Sequence, residues 1–341
     1  MTTLVAAASD ATTRAAGRAS GFWNRLSPAS RRALRDGPIV AGLIFLVYLF
    51  VDVAPKAGTV GFDALSYWIY SIDDPYAITH GTMGSFVYSP VAARLFQLDS
   101  LLPFWQFLWL WEALLLGTVL WLGGRRWWLV ILAFPPVALE LYHGNIHLLI
   151  AAAIALGFRY PAAWAFVLLT KVTPGIGLLW FAVRREWRSL GIAVGVTLAL
   201  VAASLVVDTR LWIEWWEKEL LVSLRTPPDQ PQIAIPLVVR LAAAAAIVTV
   251  GALTNRKWTV PLAAALAMPV LWIAAFAVLA AIPAVGRPEL RSREEEAANL
   301  ASESASTADD ARSNANDARV ATHEDSRPDA PEPARTAGAR S

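Results

Sequence analysis

Several short stretches of this 341-residue sequence combine residue types and spacings that suit chemistry. Phe62 to Tyr70, FDALSYWIY, reads as a short amphipathic helix. Leu65, Trp68 and Ile69 form an apolar stripe, while Asp63, Tyr67 and Tyr70 fall at i, i+4 and i+7 on another face. Lying in a membrane surface, such a helix dips its stripe into lipid and presents a carboxylate and two phenols to a cleft above. A carboxylate among aromatic hydroxyls suits a general base that takes a proton from a hydroxyl such as a sugar's; the same Asp63 would serve equally as a helix cap. Asp73-Asp74-Pro75-Tyr76 follows and reads as a turn. Tyr88-Ser89-Pro90 marks a helix start, with Ser89 as N-cap and Pro90 at the first helical position. Arg94, one turn in, stands apart from the other basic clusters and suits an anionic ligand, or an ion-paired or snorkelling role.

Two later clusters lie in apolar surroundings. His143, Asn145 and His147 fall within five positions, with Glu140 one turn earlier as the partner that would keep one imidazole charged. Two histidines four apart would share a helix face, but no Glu lies between them and no third ligand is near. They read as the polar lining of a cavity, and no metal is expected. Lys171, in Thr170-Lys171-Val172-Thr173-Pro174, separates two apolar segments. An ionisable group there is expensive and functional by default, and a helix starting at Thr173-Pro174 would add N–H groups for a phosphate; the other reading is a lysine snorkelling to headgroups.

The elements that must position these residues follow from composition. The chain is 56% apolar and only 16% charged, with mean hydropathy +0.47. Twelve of the 27 acidic residues lie beyond residue 286, leaving long apolar stretches before it. That pattern is a multi-span membrane protein and excludes a soluble enzyme or nucleic-acid binder. Without cysteine there is no thiolate nucleophile, thiolate metal site or disulfide.

Residues 1–36 form a basic segment, expected in the cytoplasm. The apolar run after it lacks a small-x-small cleavage site followed by a soluble domain, so it reads as a retained first span. Residues 287–341 read as a disordered cytoplasmic tail, leaving 37–286 as one membrane-embedded domain. Basic clusters at Arg125-Arg126, Arg159, Arg184-Arg185-Arg188, Arg256-Lys257 and Arg287 alternate with acidic loops. With the basic side inside, spans at 38–53 and 103–123 flank an outer loop, 54–102. Spans at 189–207 and 233–254 flank a second, 208–232, and Pro269 divides the stretch 258–285 into two segments. Region 127–183 fits four shortened segments broken near His143-Gly144-Asn145, Arg159 and Lys171, or two full spans with re-entrant pieces. Either threading predicts an outward cavity near the breaks. The fold class is therefore an all-α polytopic bundle of about ten transmembrane or half-membrane helices with an amphipathic helix in its first outer loop. Tryptophans at 105, 127, 128, 187, 212, 215, 216 and 258 suit an interfacial belt.

At these residues the sequence resembles glycosyltransferase family 87. The carriers are FD-x-x-x-YW (Phe62, Asp63, Tyr67, Trp68), PY (Pro75, Tyr76), F-x-Y-x-P (Phe86, Tyr88, Pro90), GN-x-x-LL (Gly144, Asn145, Leu148, Leu149), K-x-TPG (Lys171, Thr173, Pro174, Gly175) and P-x-x-W (Pro269, Trp272). The resemblance spans about residues 38–285. It implies a GT-C fold in a bacterial plasma membrane and inverting transfer of mannose from a polyprenyl phosphate to a lipid-linked glycan on the outer face, with no metal or other cofactor. It also implies that Asp63 is the catalytic base and makes Lys171 and Arg94 candidates for the donor phosphate, while the residues themselves suggest that Tyr67, Tyr70, Tyr88, His143, Asn145 and His147 line the sugar and acceptor site. A polyprenyl-phosphate-arabinose transferase is the nearest alternative. A lipid-linked sugar flippase is the other; no repeat of two halves supports it.

Overall fold

Ser27 opens the first long helix. Its hydroxyl accepts the Ser30 N–H at 3.1 Å, and Pro28 takes the first helical position, where no N–H is needed. In this computed structural model residues 24–70, 72–97, 101–224 and 233–290 are described, with isolated positions at 20, 296, 297, 300 and 304. Most of the basic segment before residue 24, Asp99, Asp229 and nearly all of the tail 287–341 lie outside the described residues.

Helix α1, Pro28–Tyr48, continues through a π-helical turn at Leu49–Val53 to Ala57, so the expected first span is one stretch of 30 residues. Two short helices, α2 (Phe62–Trp68) and α3 (Pro90–Phe96), occupy the connection to α4, Phe104–Leu132. The second long helix therefore passes the expected end at residue 123. It kinks at Gly124, whose φ of 53° only glycine adopts without strain, and Arg287 donates to the Leu122 carbonyl beside the kink.

Helices α5 (Pro135–His143) and α6 (His147–Gly157) follow, bent 116° from one another. A 3-10 turn at Pro161–Ala163 leads into α7, Trp164–Thr170, and another at Thr173–Leu178 leads into α8, Leu179–Val183. The helix breaks thus fall at 144–146, 158–163 and 171–172, where Gly144, Pro161 and Pro174 each disfavour an uninterrupted helix. Helix α9, Trp187–Val207, is long again; α10, Thr209–Glu214, continues as a π-helix to Leu220. Helix α11 (Leu237–Leu253), α12 (Thr259–Leu266) and a 3-10 stretch, Ile273–Ala281, complete the bundle. The gap between the last two holds Pro269, as expected. Among the described residues there is no β-strand.

Among the described residues three helices are long and apolar enough to cross a membrane, or four if the bent pair α5–α6 counts as one span. The remaining apolar helices are shorter, so the expectation of about ten segments rests on counting them as well. Only 11% of the most apolar window of α1, and of α9, is buried within the protein. Their large side chains face outward, with Ile44 at 64% and Val206 at 89% exposure. Apolar surface on that scale requires lipid around it. Inside, Trp164, Trp180, Phe158 and Phe181 are fully buried, and Ile273–Ala281 packs against both α5 and α6. Of the tryptophans expected in an interfacial belt, Trp105, Trp127, Trp128, Trp187, Trp216 and Trp258 are exposed. Trp215 is buried instead, in an edge-to-face pair with the partly buried Trp212, so these two are packing residues.

Gly42 lets α1 touch the end of α4: a Cβ there would lie 1.7 Å from the Ala133 carbonyl oxygen, whereas one at Gly37 meets nothing within 4 Å. Gly42→Ala is expected to destabilise the fold by about 1–3 kcal/mol, as overpacking does. Gly37→Ala is expected to be neutral or stabilising by up to about 1 kcal/mol. Melting temperatures of the two variants in detergent check the contrast.

Candidate active site

The site is built on the break between α5 and α6. Gly144 ends α5 in the left-handed conformation, φ 67°, and its N–H returns to the Glu140 carbonyl at 2.8 Å. Asn145 stays at the turn because its side-chain oxygen accepts the Ile146 N–H at 2.7 Å. The first N–H groups of α6 lack helical partners, and the Glu140 carboxylate supplies one: its Oε1 accepts from the backbone of His147 and, at 3.2 Å, of Leu148. Glu140 is completely buried, and its Oε2 meets His147 Nδ1 at 2.9 Å. The expectation that Glu140 partners an imidazole is met at His147. The two histidines end one helix and begin another, so they do not share the single helix face that the spacing allowed.

Helix α2 lies against this break. Gly61 N–H donates to the Tyr142 carbonyl at 2.9 Å, and Thr59 Oγ1 meets the Tyr142 hydroxyl at 2.7 Å. Trp111 of α4 donates its indole N–H to the Gly144 carbonyl at 2.7 Å. So held, Asp63 Oδ2 accepts from the Asn145 side-chain amide at 2.7 Å. No side chain caps α2, whose N-cap is Gly61, so the capping reading of Asp63 does not apply. His143 stands edge-on to Phe62, 6.4 Å between ring centres.

Lys171 arrives from the far side of the same recess. The chain turns extended there (φ −139°, ψ 108°), and Nζ reaches His147 Nε2 at 3.1 Å, with the Tyr88 ring centre at 6.0 Å. Thr173–Leu178 is a 3-10 turn and not an α-helix, and its Gly175 N–H returns to the Val172 carbonyl at 3.0 Å, so that N–H is not free for a phosphate. Asp63, His143, Asn145 and Lys171 are partly exposed, above a buried floor of Glu140, His147, Tyr67 and Tyr88.

The phenols differ from their expected placement. Tyr67 is fully buried, stacked on Phe96 and 3.1 Å from the Tyr88 hydroxyl, and burial pushes both phenols upward so that they stay neutral. The i, i+4 pattern sets a common face but not how deeply each member sinks. Tyr70 commits its hydroxyl to the Ala93 carbonyl and packs on Phe86. Ser89 caps α3 as expected, accepting the Ala92 N–H at 3.4 Å. Arg94 is exposed, away from the buried face of α3 formed by Ala92, Ala93 and Phe96, and does not join the cluster.

Asp63 lies outside the spanning helices. Burial pushes its carboxyl above the ordinary carboxylate range; His143, the Asn145 hydrogen bond and Lys171 draw it back, and Glu140 adds to the rise. A poised carboxylate opposite an ammonium can accept a proton while a leaving anion is held nearby. Glu112 of α4 went unmarked in the sequence reading. Its Oε1 is buried without a hydrogen-bond partner against Gly144, and a lone acid within an apolar span was the available signal.

The segment after α9 clamps the loop between α2 and α3. Arg210 donates to the Asp73 carbonyl at 2.6 Å, Trp215 to the Val87 carbonyl at 3.2 Å, and His80 meets the buried Glu219.

The model of glycosyltransferase family 87 matches residues 86–306, more than half of the chain. The chain belongs to glycosyltransferase family 87. No match occurs among curated proteins or among solved structures. Membership makes it a membrane glycosyltransferase, with a sugar donor and an acceptor as substrates. The family 87 match contains Tyr88, Arg94, His143, Asn145, His147 and Lys171, whereas Asp63, Tyr67 and Tyr70 precede it.

A methyl group on Gly144 would sit 2.8 Å from Ala64 Cβ, beside Asp63, in a backbone conformation that alanine adopts only with strain. Gly144→Ala is expected to cost about 1–3 kcal/mol of stability and to separate Asp63 from Asn145. Its detergent melting temperature and its transfer rate should fall together.

Proposed function

We propose that this enzyme moves mannose from a polyprenyl phosphate to a lipid-linked glycan, inverting the anomeric centre without a metal. Asp63 is the general base. Asn145 engages its Oδ2, leaving Oδ1 to meet the acceptor hydroxyl. The acceptor's proton passes to the carboxylate as its oxygen bonds to the anomeric carbon. The bond from that carbon to the phosphate oxygen breaks, and the electron pair leaves with the polyprenyl phosphate. Lys171 receives the phosphate within the recess. Arg94, exposed on α3 outside this cluster, is the second cation for the donor phosphate. His143 and Asn145 line the sugar, over a floor of His147, Tyr67 and Tyr88; Tyr70 contributes by holding α3.

One observation carries the reading. Asp63 and Lys171, 108 positions apart in sequence, both reach the α5–α6 break, Asp63 bonding to Asn145 and Lys171 to His147, and their charges interact. A base and a phosphate-binding cation must be that close for a direct displacement.

The proposed setting is the bacterial plasma membrane, with the recess extracytoplasmic and both termini cytoplasmic. What supports it is the alternation of basic and acidic connections. The short helices complete a multi-pass, GT-C-like bundle as half-membrane segments. Residues 37–286 are the catalytic domain, between the basic segment 1–36 and the tail 287–341.

The test uses membranes containing the full chain, a lipid extract and labelled polyprenyl-phosphate mannose, with the arabinose donor in a parallel arm. Label should pass from mannose donor to lipid. Asp63→Asn should lower the rate by about 10²–10⁴-fold with an unchanged melting temperature, as loss of a general base does. Full transfer by that variant rejects the assignment, and transfer from the arabinose donor alone rejects mannose. A second expectation concerns pH. The base works ionised, and its folded pKa is raised. Activity should therefore be full at neutral pH and fall tenfold per unit of acidification below a midpoint above the usual ~3.9 of Asp. A rate–pH profile that stays flat to the ordinary carboxylate range would contradict this.

A further inference from the structure

We infer that His147 and Glu140 are positioning residues which hold the Lys171 ammonium in place for the donor's phosphate. This rests on the reading of Lys171 as phosphate ligand. It moves His147 from lining the sugar to acting through the lysine.

The three side chains stand in a line. Glu140 Oε2 lies 2.9 Å from His147 Nδ1, and His147 Nε2 lies 3.1 Å from Lys171 Nζ. An ammonium has only hydrogens to offer, so Nε2 must present a lone pair. The ring hydrogen then sits on Nδ1 and donates to Glu140. The opposite tautomer would point an N–H at the ammonium and leave Nδ1 facing a carboxylate with no hydrogen between them. Glu140 thereby fixes both the ring's orientation and its tautomer, as an outer carboxylate does for a metal-binding histidine. Glu140 cannot turn away, because its other oxygen is bound to the first N–H groups of α6.

The imidazole between the charges has a purpose. A lysine paired directly with Glu140 would be neutralised by it. With a neutral ring interposed, the ammonium gives up one hydrogen for its orientation and keeps two, with most of its charge, for a phosphate. His147 is 4% exposed and Glu140 0%, so neither is placed to touch a substrate itself, whereas Lys171 is partly exposed. The titratable groups of other elements that interact with this line include Asp63 and Tyr67 of α2, Tyr88 before α3 and Glu112 of α4.

The test measures binding of farnesyl phosphate, a short polyprenyl phosphate, to the full chain in detergent. Lys171→Met and His147→Phe should each weaken binding about tenfold, as loss of a hydrogen bond to a charged group does. If His147 acts through the lysine, the double variant should bind no more than about twofold more weakly than Lys171→Met alone. His147→Gln carries an amide N–H for Glu140 and an oxygen for Lys171, and should stay within about threefold of the parent chain. Melting temperatures show that each variant is folded.

Failure of the parent chain to bind farnesyl phosphate overturns the inference. So does undiminished binding by His147→Phe, multiplication of the two losses, or a glutamine variant as weak as the phenylalanine one. Retained transfer by Asp63→Asn would sink the catalytic reading and leave the binding cycle intact. Multiplying losses beside an inactive Asp63→Asn would sink the positioning role alone.

Discussion

A broken helix inside a membrane protein leaves backbone hydrogen-bonding groups that lipid cannot satisfy, and Glu140 answers that constraint. Its carboxylate takes the N–H groups of His147 and Leu148 and braces the His147 ring, all with no solvent exposure. The remaining geometry follows from the break it sustains. Gly144 provides the reversal that brings Asn145 to Asp63, the bend frees the Gly144 carbonyl for Trp111, and His147 is aimed at Lys171. A continuous helix from 135 to 157 would carry Asn145 and His147 on a regular spiral, without the reversal that gathers the site.

Much of this local structure was legible in the sequence. Gly144, Pro161 and Pro174 disfavour continuous helix, and polar or charged residues stand beside each inside apolar runs; the breaks fall there. Ser89-Pro90 is a local signal too, and the cap forms where it is expected. The family motifs, read in order, agree with the match over residues 86–306. Asp63 is carried by a motif ahead of that match.

What remained hidden depends on contacts between distant segments. The period of FDALSYWIY assigns Tyr67 and Tyr70 to Asp63's side of a helix but cannot say that Phe96 and Trp111 will cover one of them or that Ala93 will engage the other. Arginines were read as span ends, yet α4 passes Arg125 and Arg126 because glycine permits a kink there. Trp215 has the composition of an interfacial anchor and the position of a packing residue, since its indole is needed by the Val87 carbonyl. Thr173-Pro174 suggested a helix start; the turn that forms there is the tighter 3-10 kind, and its Gly175 N–H goes to the Val172 carbonyl.

The sparse coverage of the two outermost long helices has a physical consequence of its own. With 11% of each apolar window sheltered by protein, the first and ninth helices are solvated chiefly by whatever surrounds the bundle. Their attachment is thermodynamically a property of the annulus of acyl chains as much as of the polypeptide. The enzyme's durability should track the thickness and fluidity of that annulus.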